Sequence, residues 1–219
     1  MILHLPQVID AATLDAIRDG AARCQFVTGE TSAGWAARTV KRNEQAQRDR
    51  HTETLLDMVE RHLREHTLFA LAARPKAFPR LMISRYREGM AYGSHVDDCL
   101  IAGQRTDLSF TLGLTSEADY QGGELVLEDS SGERAWKLGA GDLLLYPTVY
   151  LHRVEPVVSG ERIAVVGWVR SLVRDAQQRA LLFELELALR EEFSERGKSQ
   201  QFDRLSLVRT NLMRLWLED

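Results

Sequence analysis

Cysteine is scarce and long apolar runs are absent, and each absence excludes a class of protein. Cys24 and Cys99 are the only cysteines, too few for the disulfide framework of a small secreted protein. The strongest apolar runs, such as 163–169, are far shorter than the roughly 20 residues of a membrane helix. The N-terminus lacks the basic and apolar regions of a signal peptide. We therefore expect a cytoplasmic protein that does not span a membrane.

A strong excess of charge of one sign is also missing. The formal net charge of the 219 residues is −4, so the chain lacks the basic surface that a nucleic-acid binder normally shows. Apolar residues make up 44% of the chain and charged residues 27%, as in ordinary globular proteins. The length suffices for one substantial domain with appendages, and no repeat or low-complexity linker divides it.

The N-terminal part has helical patterns. Asp10 or Thr13 can cap a short helix that runs to Ala22. A second helix is predicted over 52–66, where leucine and valine recur at fourfold spacing on one face. The segment 26–45 between them is polar, basic and contains glycine, so we expect it to be a surface loop.

The C-terminal part is also predicted to be helical. A helix over 176–193 carries Leu181, Leu185 and Leu189 in one row. Asp203 can cap a final helix, whose apolar stripe consists of Leu205, Val208, Leu212, Leu215 and Trp216. We expect these stripes to face the core or the interface of a homo-oligomer.

Between these ends, short β-type runs alternate with glycine turns. The predicted strands are 81–86, 108–114, 124–127, 143–146 and 162–169. Several short strands at this spacing favour a sandwich or jelly roll over βαβ units. The predicted class is α+β with a mainly β core. Its predicted parts are an N-terminal helical support region (1–75), a β core (76–172) and a C-terminal helical region (173–219).

A His-x-Asp pair points to a metal site. His95 and Asp97 would face the same side of a strand, because residues two apart do so. His152, just beyond a later strand, can supply a third ligand. Two imidazoles and one carboxylate leave positions open, as in the facial triad of non-haem iron(II) oxygenases. The pair alone is common by chance, and the alternative is two surface residues with a hydrogen-bonded His152 in a turn.

Arg162 begins an apolar strand ten residues after His152. A buried guanidinium needs an anionic partner, and its planar fork suits one carboxylate of a dicarboxylate co-substrate. The alternative is a salt bridge to Glu161 or Glu155. Tyr86 ends an earlier strand, and its hydroxyl can donate to the same co-substrate or belong to a core tyrosine.

A second metal pattern competes with the first. The segment 62–66 reads H-x-x-E-H, the inverted zinc-protease pattern on a helix. Its charged neighbours, Glu60 and Arg61, favour a solvated helix face instead. The loop 98–105, which contains Cys99, is a candidate lid beside the first metal site or an ordinary surface loop.

Three longer segments of the core are RYREGMAYGSHVDD, RTDLSFTLGLTSEADYQGGELVLED and GAGDLLLYPTVYLHRVEPVVSGERIAVVGWVRSLVRD. They resemble the PKHD-type hydroxylases, bacterial iron(II)/2-oxoglutarate dioxygenases related to prolyl 4-hydroxylases. FVTGETSAGWAARTVKRNEQ is similar to the N-terminal segment of the family, and RALLFELELALREE and LVRTNLMRLWLED are similar to its C-terminal helices. The resemblance covers most of the chain.

The resemblance implies a double-stranded β-helix core, also called a jelly roll. It implies iron(II) ligands at His95, Asp97 and His152. It also implies that Arg162 pairs with the distal carboxylate of 2-oxoglutarate. In related prolyl hydroxylases a tyrosine at the place of Tyr86 contacts 2-oxoglutarate. L-Ascorbate is implied as the reductant that keeps the iron reduced.

The predicted function is therefore hydroxylation of a C–H bond with dioxygen and 2-oxoglutarate, releasing succinate and carbon dioxide. Kinship with prolyl hydroxylases suggests a peptidyl proline as the substrate. Family members named as iron-uptake factors suggest a small molecule of iron uptake instead. The alternative function is a non-catalytic sensor of metal or 2-oxoglutarate on the same fold.

Overall fold

Helices and short strands alternate in the first part of the chain. The computed structural model describes residues 1–32 and 34–218. The first elements are β1 (Leu3–Leu5), α1 (Ala11–Ala22), β2 (Phe26–Thr28), β3 (Lys41–Arg42), β4 (Glu44–Ala46), α2 (Arg50–Glu65) and α3 (Thr67–Ala73). The side chain of Asp10 caps α1, as one of the two predicted caps. Leu55, Val59 and Leu63 of α2 are buried, which confirms the second predicted helix.

The remaining strands make up the core. They are β5 (Pro75–Arg87), β6 (Ala91–His95), β7 (Leu100–Ile101), β8 (Gln104–Arg105), β9 (Leu108–Gly113), β10 (Tyr120–Gly122), β11 (Leu125–Asp129), β12 (Gly132–Trp136), β13 (Leu143–Pro147), β14 (Leu151–Val154) and β15 (Val157–Ser171). All five predicted strands are present. Strands β5 and β15 are longer than predicted, because charged and polar residues interrupt the apolar pattern toward their ends.

Two antiparallel sheets form a jelly roll, as predicted. The larger sheet has the order β1-β13-β9-β15-β5-β4-β2, with β10 paired to β15. The smaller sheet has the order β12-β11-β14-β6-β3. Tyr146 of the larger sheet and Leu127 of the smaller belong to one buried cluster, so the two sheets pack face to face. The short hairpin of β7 and β8 lies in the predicted lid loop.

The outer face of the larger sheet packs against helices. Phe110 of β9 belongs to the same buried cluster as Ile17 of α1, Val59 of α2 and Phe69 of α3. The rings of Phe69 and Phe110 meet edge to face, with centroids 5.9 Å apart. This packing fixes the outer side of β9 and leaves the alternate residues of the strand facing inward.

The segment 26–45 is not the surface loop that its composition predicted. It forms β2 and β3 and begins β4, and three of its polar side chains are buried: Lys41, Asn43 and Gln45. Strand β3 pairs with β6 of the smaller sheet, whereas β4 pairs with β5 of the larger. These three side chains are buried although their residue types are typical of a protein surface, which explains the error.

Helix α4 (Ala176–Arg196) follows the core, but its buried face is not the predicted row. Leu189 is buried, whereas Leu181 is 60% exposed. The buried residues are Arg179, Leu182, Phe183, Glu186, Leu189 and Glu192. The predicted row was wrong because this helix buries polar side chains among its leucines, which shifts the buried face away from Leu181.

Helix α5 (Gln200–Trp216) begins earlier than predicted. The Oγ of Ser199 accepts a hydrogen bond from the backbone N–H of Phe202 and caps the helix. Asp203 lies in the first turn, where Lys198 donates to its carboxylate. Leu215 is 75% exposed and no described residue of α5 is fully buried. The predicted stripe is therefore not core, and the homo-oligomer stays a prediction.

Within residues 1–32 and 34–218, no helix is both long and apolar enough to cross a membrane. The division of the chain into 1–75, 76–172 and 173–219 stays a prediction. Strands from the first 46 residues pair with both sheets of the core.

A glycine in β15 provides a test of the core. A Cβ on Gly167 would lie 2.6 Å from ring carbons of Phe110 and also contact Leu81. We expect Gly167→Ala to lower the free energy of unfolding by about 1–3 kcal/mol, because the packed core must move. Urea denaturation would measure this change. Gly139→Ala is the control, since its Cβ would meet its nearest neighbour at 3.4 Å. Equal stability of the two variants would contradict the close packing of Gly167 against Phe110.

Candidate metal centre

The two histidines lie side by side on neighbouring strands of the smaller sheet. His95 is the last residue of β6 and His152 belongs to β14. The two residues are directly opposite each other in the antiparallel ladder. Their ring centroids are 4.2 Å apart. The pairing of these strands therefore joins two parts of the chain that are far apart in sequence.

Asp97 lies two residues beyond His95 and faces both rings. Its Oδ1 is 3.9 Å from Nε2 of His95, and its Oδ2 is 3.7 Å from Nε2 of His152. One donor atom from each of the three residues lies within 4.8 Å of the others. The Oγ of Ser109 donates a 2.6 Å hydrogen bond to Oδ2 of Asp97 and orients the carboxylate. The structure thus brings together the three predicted metal ligands.

Backbone carbonyl groups orient both imidazoles. Nδ1 of His95 lies 2.9 Å from the carbonyl oxygen of Gly93, and Nδ1 of His152 lies 3.1 Å from that of Tyr150. A carbonyl oxygen can only accept, so each Nδ1 carries the proton and each Nε2 keeps a free lone pair. Metal-binding histidines are typically oriented in this way. Two imidazoles and one carboxylate suit iron(II).

The surroundings keep His95 neutral, as metal binding requires. Burial lowers the pKa of His95 to about 4, and the neighbouring His152 adds to the effect. The ring of Tyr92 stacks on His95 with centroids 3.6 Å apart, and Tyr146 meets His152 edge-on. Each imidazole therefore packs against an aromatic ring.

Arg162 is buried on β15, directly opposite Tyr86 of β5. The central guanidinium carbon lies 5.3 Å from the centroid of the Tyr86 ring, and Nη1 is buried without a hydrogen-bond partner. Both predicted salt-bridge alternatives are wrong. Glu161 pairs with Arg87 at 3.3 Å. Glu155 pairs with Arg153 at 2.6 Å.

Glycine makes room for the Arg162 side chain. A Cβ on Gly123 would lie 2.9 Å from Cδ of Arg162, and Gly123 has a φ of +68°. That backbone conformation is unfavourable for residues other than glycine. Gly123 therefore accommodates the arginine.

A cavity between the two sheets contains the candidate centre. Tyr86 and the three metal-site residues line it, whereas Arg162 does not form part of its wall. Lys41, Asn43 and Ser109 also line the cavity and were not predicted to lie at the site. Ser109 does leave a signal in the sequence, because a single polar residue between Leu108 and Phe110 indicates a polar inner face.

The competing zinc pattern is wrong. His62 uses Nδ1 to contact the carbonyl oxygen of Met58, and its Nε2 lies 3.3 Å from the carboxylate of Asp10. The ring of His66 accepts a hydrogen bond from the backbone N–H of Phe69 and caps α3. In the part of the chain that the structure describes, the one His, Cys and carboxylate group suited to a metal is the His95 site.

Comparison with known proteins decides the family. The model of the 2OG-Fe(II) oxygenase superfamily matches residues 81–170. A PKHD-type hydroxylase of Idiomarina loihiensis is 48% identical over 219 residues, and the match covers 99% of each chain. A PKHD-type hydroxylase of Maricaulis maris is 46% identical over the full length of both chains. This chain belongs to the PKHD-type hydroxylase family. It is thus an iron(II)- and 2-oxoglutarate-dependent hydroxylase.

Solved structures show the same fold for this hydroxylase. A prolyl hydroxylase from Trichoplax adhaerens, in complex with a hypoxia inducible factor peptide fragment, gives a TM-score of 0.61 at 14% identity. The match covers 82% of this chain and 86% of that chain. A 2OG-Fe(II) oxygenase family oxidoreductase from Burkholderia pseudomallei gives 0.57 at 18% identity, covering 76% and 82%. At these identities the likeness shows the jelly roll alone.

The lowered pKa of His95 predicts how the metal-free hydroxylase responds to acid. In the unfolded chain His95 takes up a proton below its ordinary pKa of 6.5, but in the folded chain only near 4. The unfolded state then binds more protons, so the free energy of unfolding falls as the pH drops from 6.5 to about 4. The loss from this group is at most about 3 kcal/mol.

Urea denaturation in a metal chelator at both ends of this pH range would measure the effect. His95→Asn is the comparison, because asparagine keeps a polar side chain that does not titrate. The difference between the two proteins isolates the contribution of His95 from that of other groups. An identical loss of stability in both proteins would contradict the prediction.

Proposed function

We propose that this hydroxylase binds iron(II) through His95, Asp97 and His152, and 2-oxoglutarate through Arg162 and Tyr86. The observation that carries the proposal is the buried guanidinium of Arg162, whose Nη1 has no hydrogen-bond partner. A buried charge without a partner is costly. The distal carboxylate of 2-oxoglutarate would remove that cost through a charge-assisted hydrogen bond.

Tyr86 supports this assignment by its protonation. Burial raises the pKa of the Tyr86 hydroxyl, so the group keeps its proton and can donate to a carboxylate. Asn43 lines the same cavity, and its buried amide atoms, Oδ1 and Nδ2, have no hydrogen-bond partner. We include its Nδ2 as a further donor. Arg162 must reach into the cavity beside the Tyr86 ring when the co-substrate binds.

Iron(II) and 2-oxoglutarate, when bound, supply the oxidising power: dioxygen is consumed, 2-oxoglutarate is converted to succinate and carbon dioxide, and a substrate C–H bond becomes C–OH. The residues of the chain position these two groups and shield them from water. Ser109 holds the carboxylate of Asp97 through its hydrogen bond. Burial and the charge of Asp97 raise the pKa values of Tyr92 and Tyr146. Both phenols therefore remain neutral beside the reacting centre.

Two substrate classes fit the proposal. A peptidyl proline is supported by the Trichoplax adhaerens prolyl hydroxylase, which was solved with a peptide fragment. A small molecule of iron uptake is the second class, and the geometry of the candidate metal centre suits either.

We also propose L-ascorbate as the reductant. A cytoplasmic location is supported by Cys24 and Cys99, which are both free thiols.

Removal of the Arg162 charge tests the co-substrate site. We expect Arg162→Met to weaken 2-oxoglutarate binding roughly 100-fold, because a bidentate charged pair is lost. Anaerobic titration of the iron(II) protein, followed by its visible charge-transfer absorption, would measure the affinity. Arg134→Met is the control, since Arg134 is an exposed partner of Asp129 on the smaller sheet. Unchanged affinity in Arg162→Met, or no succinate formation by the wild-type protein, would contradict the proposal.

Mass spectrometry of a native lysate would identify the substrate class. The wild-type protein should add one oxygen atom to a compound or peptide, and His95→Ala should not, because one imidazole ligand is lost. The chemical nature of the oxidised species then separates a peptide from a small molecule. Oxidation by both proteins alike would argue against His95 as a ligand.

A further inference from the structure

The cavity has a second side, away from Arg162, with a basic character. Lys41 of β3 and Arg80 of β5 both line it, together with Trp168 of β15. We call these three residues the basic lobe. Trp168 lies opposite Arg80 on one neighbouring strand and opposite Ser109 on the other. Because Ser109 holds Asp97, the basic lobe is level with the candidate metal centre.

The basic lobe and the proposed co-substrate site are well separated. Arg162 and Trp168 lie six residues apart on β15, which is roughly 20 Å along an extended strand. Alternate residues of a strand share a face, so both residues belong to the same side of the sheet. A single 2-oxoglutarate molecule that is held by Arg162 and the metal would leave the basic lobe free.

The donors of the basic lobe lack acidic partners. Lys41 is 5% exposed, and its Nζ donates to the neutral Oγ of Ser32 at 2.8 Å. Arg80 is half-buried and has neither an ion pair nor a hydrogen bond to its side chain within residues 1–32 and 34–218. Nε1 of Trp168 is buried without a hydrogen-bond partner. Two cations and one N–H group therefore border the same space, and none of them pairs with a carboxylate within the described residues.

The acidic residues of the cavity do not fill this role. Asp97 belongs to the candidate metal centre, and Asp98 is exposed and forms no ion pair with the basic lobe in the described structure. The pKa of Lys41 is lowered to about 8, mainly by burial; the charge of Asp97 raises it and repulsion by Arg80 lowers it. The two cations are thus close enough to repel each other. An added anion would relieve this repulsion.

We propose that the basic lobe binds a carboxylate of the substrate, so that the hydroxylated molecule is an acid and not a neutral compound. The inference rests on the proposed function and narrows its substrate. The guanidinium fork of Arg80 and the indole N–H would bind the carboxylate oxygens, and Lys41 would add a point charge. A peptide substrate would then need an acidic side chain or its C-terminal carboxylate near the oxidised residue.

Fluorine NMR with a pair of small probes would test the basic lobe. Trifluoroacetate carries the carboxylate, and trifluoroacetamide has nearly the same shape without the charge. The protein is loaded with iron(II) and saturating 2-oxoglutarate under argon, so that the Arg162 site is filled. Broadening of the fluorine signal by the iron reports binding near the metal. We expect trifluoroacetate to bind about tenfold more tightly than the amide, the factor for one charge-assisted hydrogen bond.

Three variants assign the binding to named residues. Arg80→Met and Lys41→Met should each weaken trifluoroacetate binding about tenfold. Arg87→Met is the matched control, because Arg87 lies on the same strand but is exposed and pairs with Glu161. It should bind both probes as the wild type does. Circular dichroism would check that each variant is folded. If one of the two lobe variants does not fold, the other still tests the proposal.

The outcomes separate this inference from the proposed function. Arg162→Met should lose 2-oxoglutarate but keep trifluoroacetate, whereas Arg80→Met should show the reverse. Equal binding of both probes, unchanged binding in both lobe variants, or displacement of trifluoroacetate by added 2-oxoglutarate would overturn the basic lobe as a substrate site. Failure of the wild type to bind 2-oxoglutarate, together with a trifluoroacetate preference that Arg80→Met removes, would instead refute the proposed function and uphold the lobe.

Discussion

The backbone ladder between β6 and β14 is the constraint on which the candidate site depends. It places His95 opposite His152, so two imidazoles from distant parts of the chain share one face. A slip of one residue would turn the His152 side chain to the opposite face of the sheet. The carbonyl oxygens of Gly93 and Tyr150 then set the direction of each ring. The geometry of the metal centre is thus a consequence of strand pairing before any metal binds.

Strand alternation explains why much of the fold and three of the site residues were predictable. The His-x-Asp spacing places two side chains on one side of an extended segment, although Asp97 itself follows the end of β6, and regular apolar runs between glycine turns indicate an antiparallel β core. The same alternation excludes Glu161 as a partner of Arg162, because adjacent residues point to opposite faces. Glu155 required the structure, since its pairing depends on how the turn before β15 folds.

Other site residues could not be predicted because they line a polar cavity. Polar side chains are usually exposed to solvent, whereas these lie inside the protein. Lys41, Asn43 and Arg80 are of residue types typical of protein surfaces, yet they line an interior cavity. Sequence patterns treat such residues as solvated, which made segment 26–45 look like a loop. The predicted cap at Asp203 was wrong for a different reason: Ser199 and Asp203 are both acceptable N-cap residues, and the structure shows that Ser199 caps α5.

The short step from β3 to β4 has a consequence for how the enzyme can be divided. Within a few residues the chain leaves the smaller sheet at Arg42 and joins the larger at Glu44. This crossing closes one wall of the cavity, although it lies outside the segment 81–170 that the superfamily model matches. An excised fragment of that segment would retain the metal-site residues and open them to bulk water. We therefore expect the smallest competent unit to be larger than the matched segment.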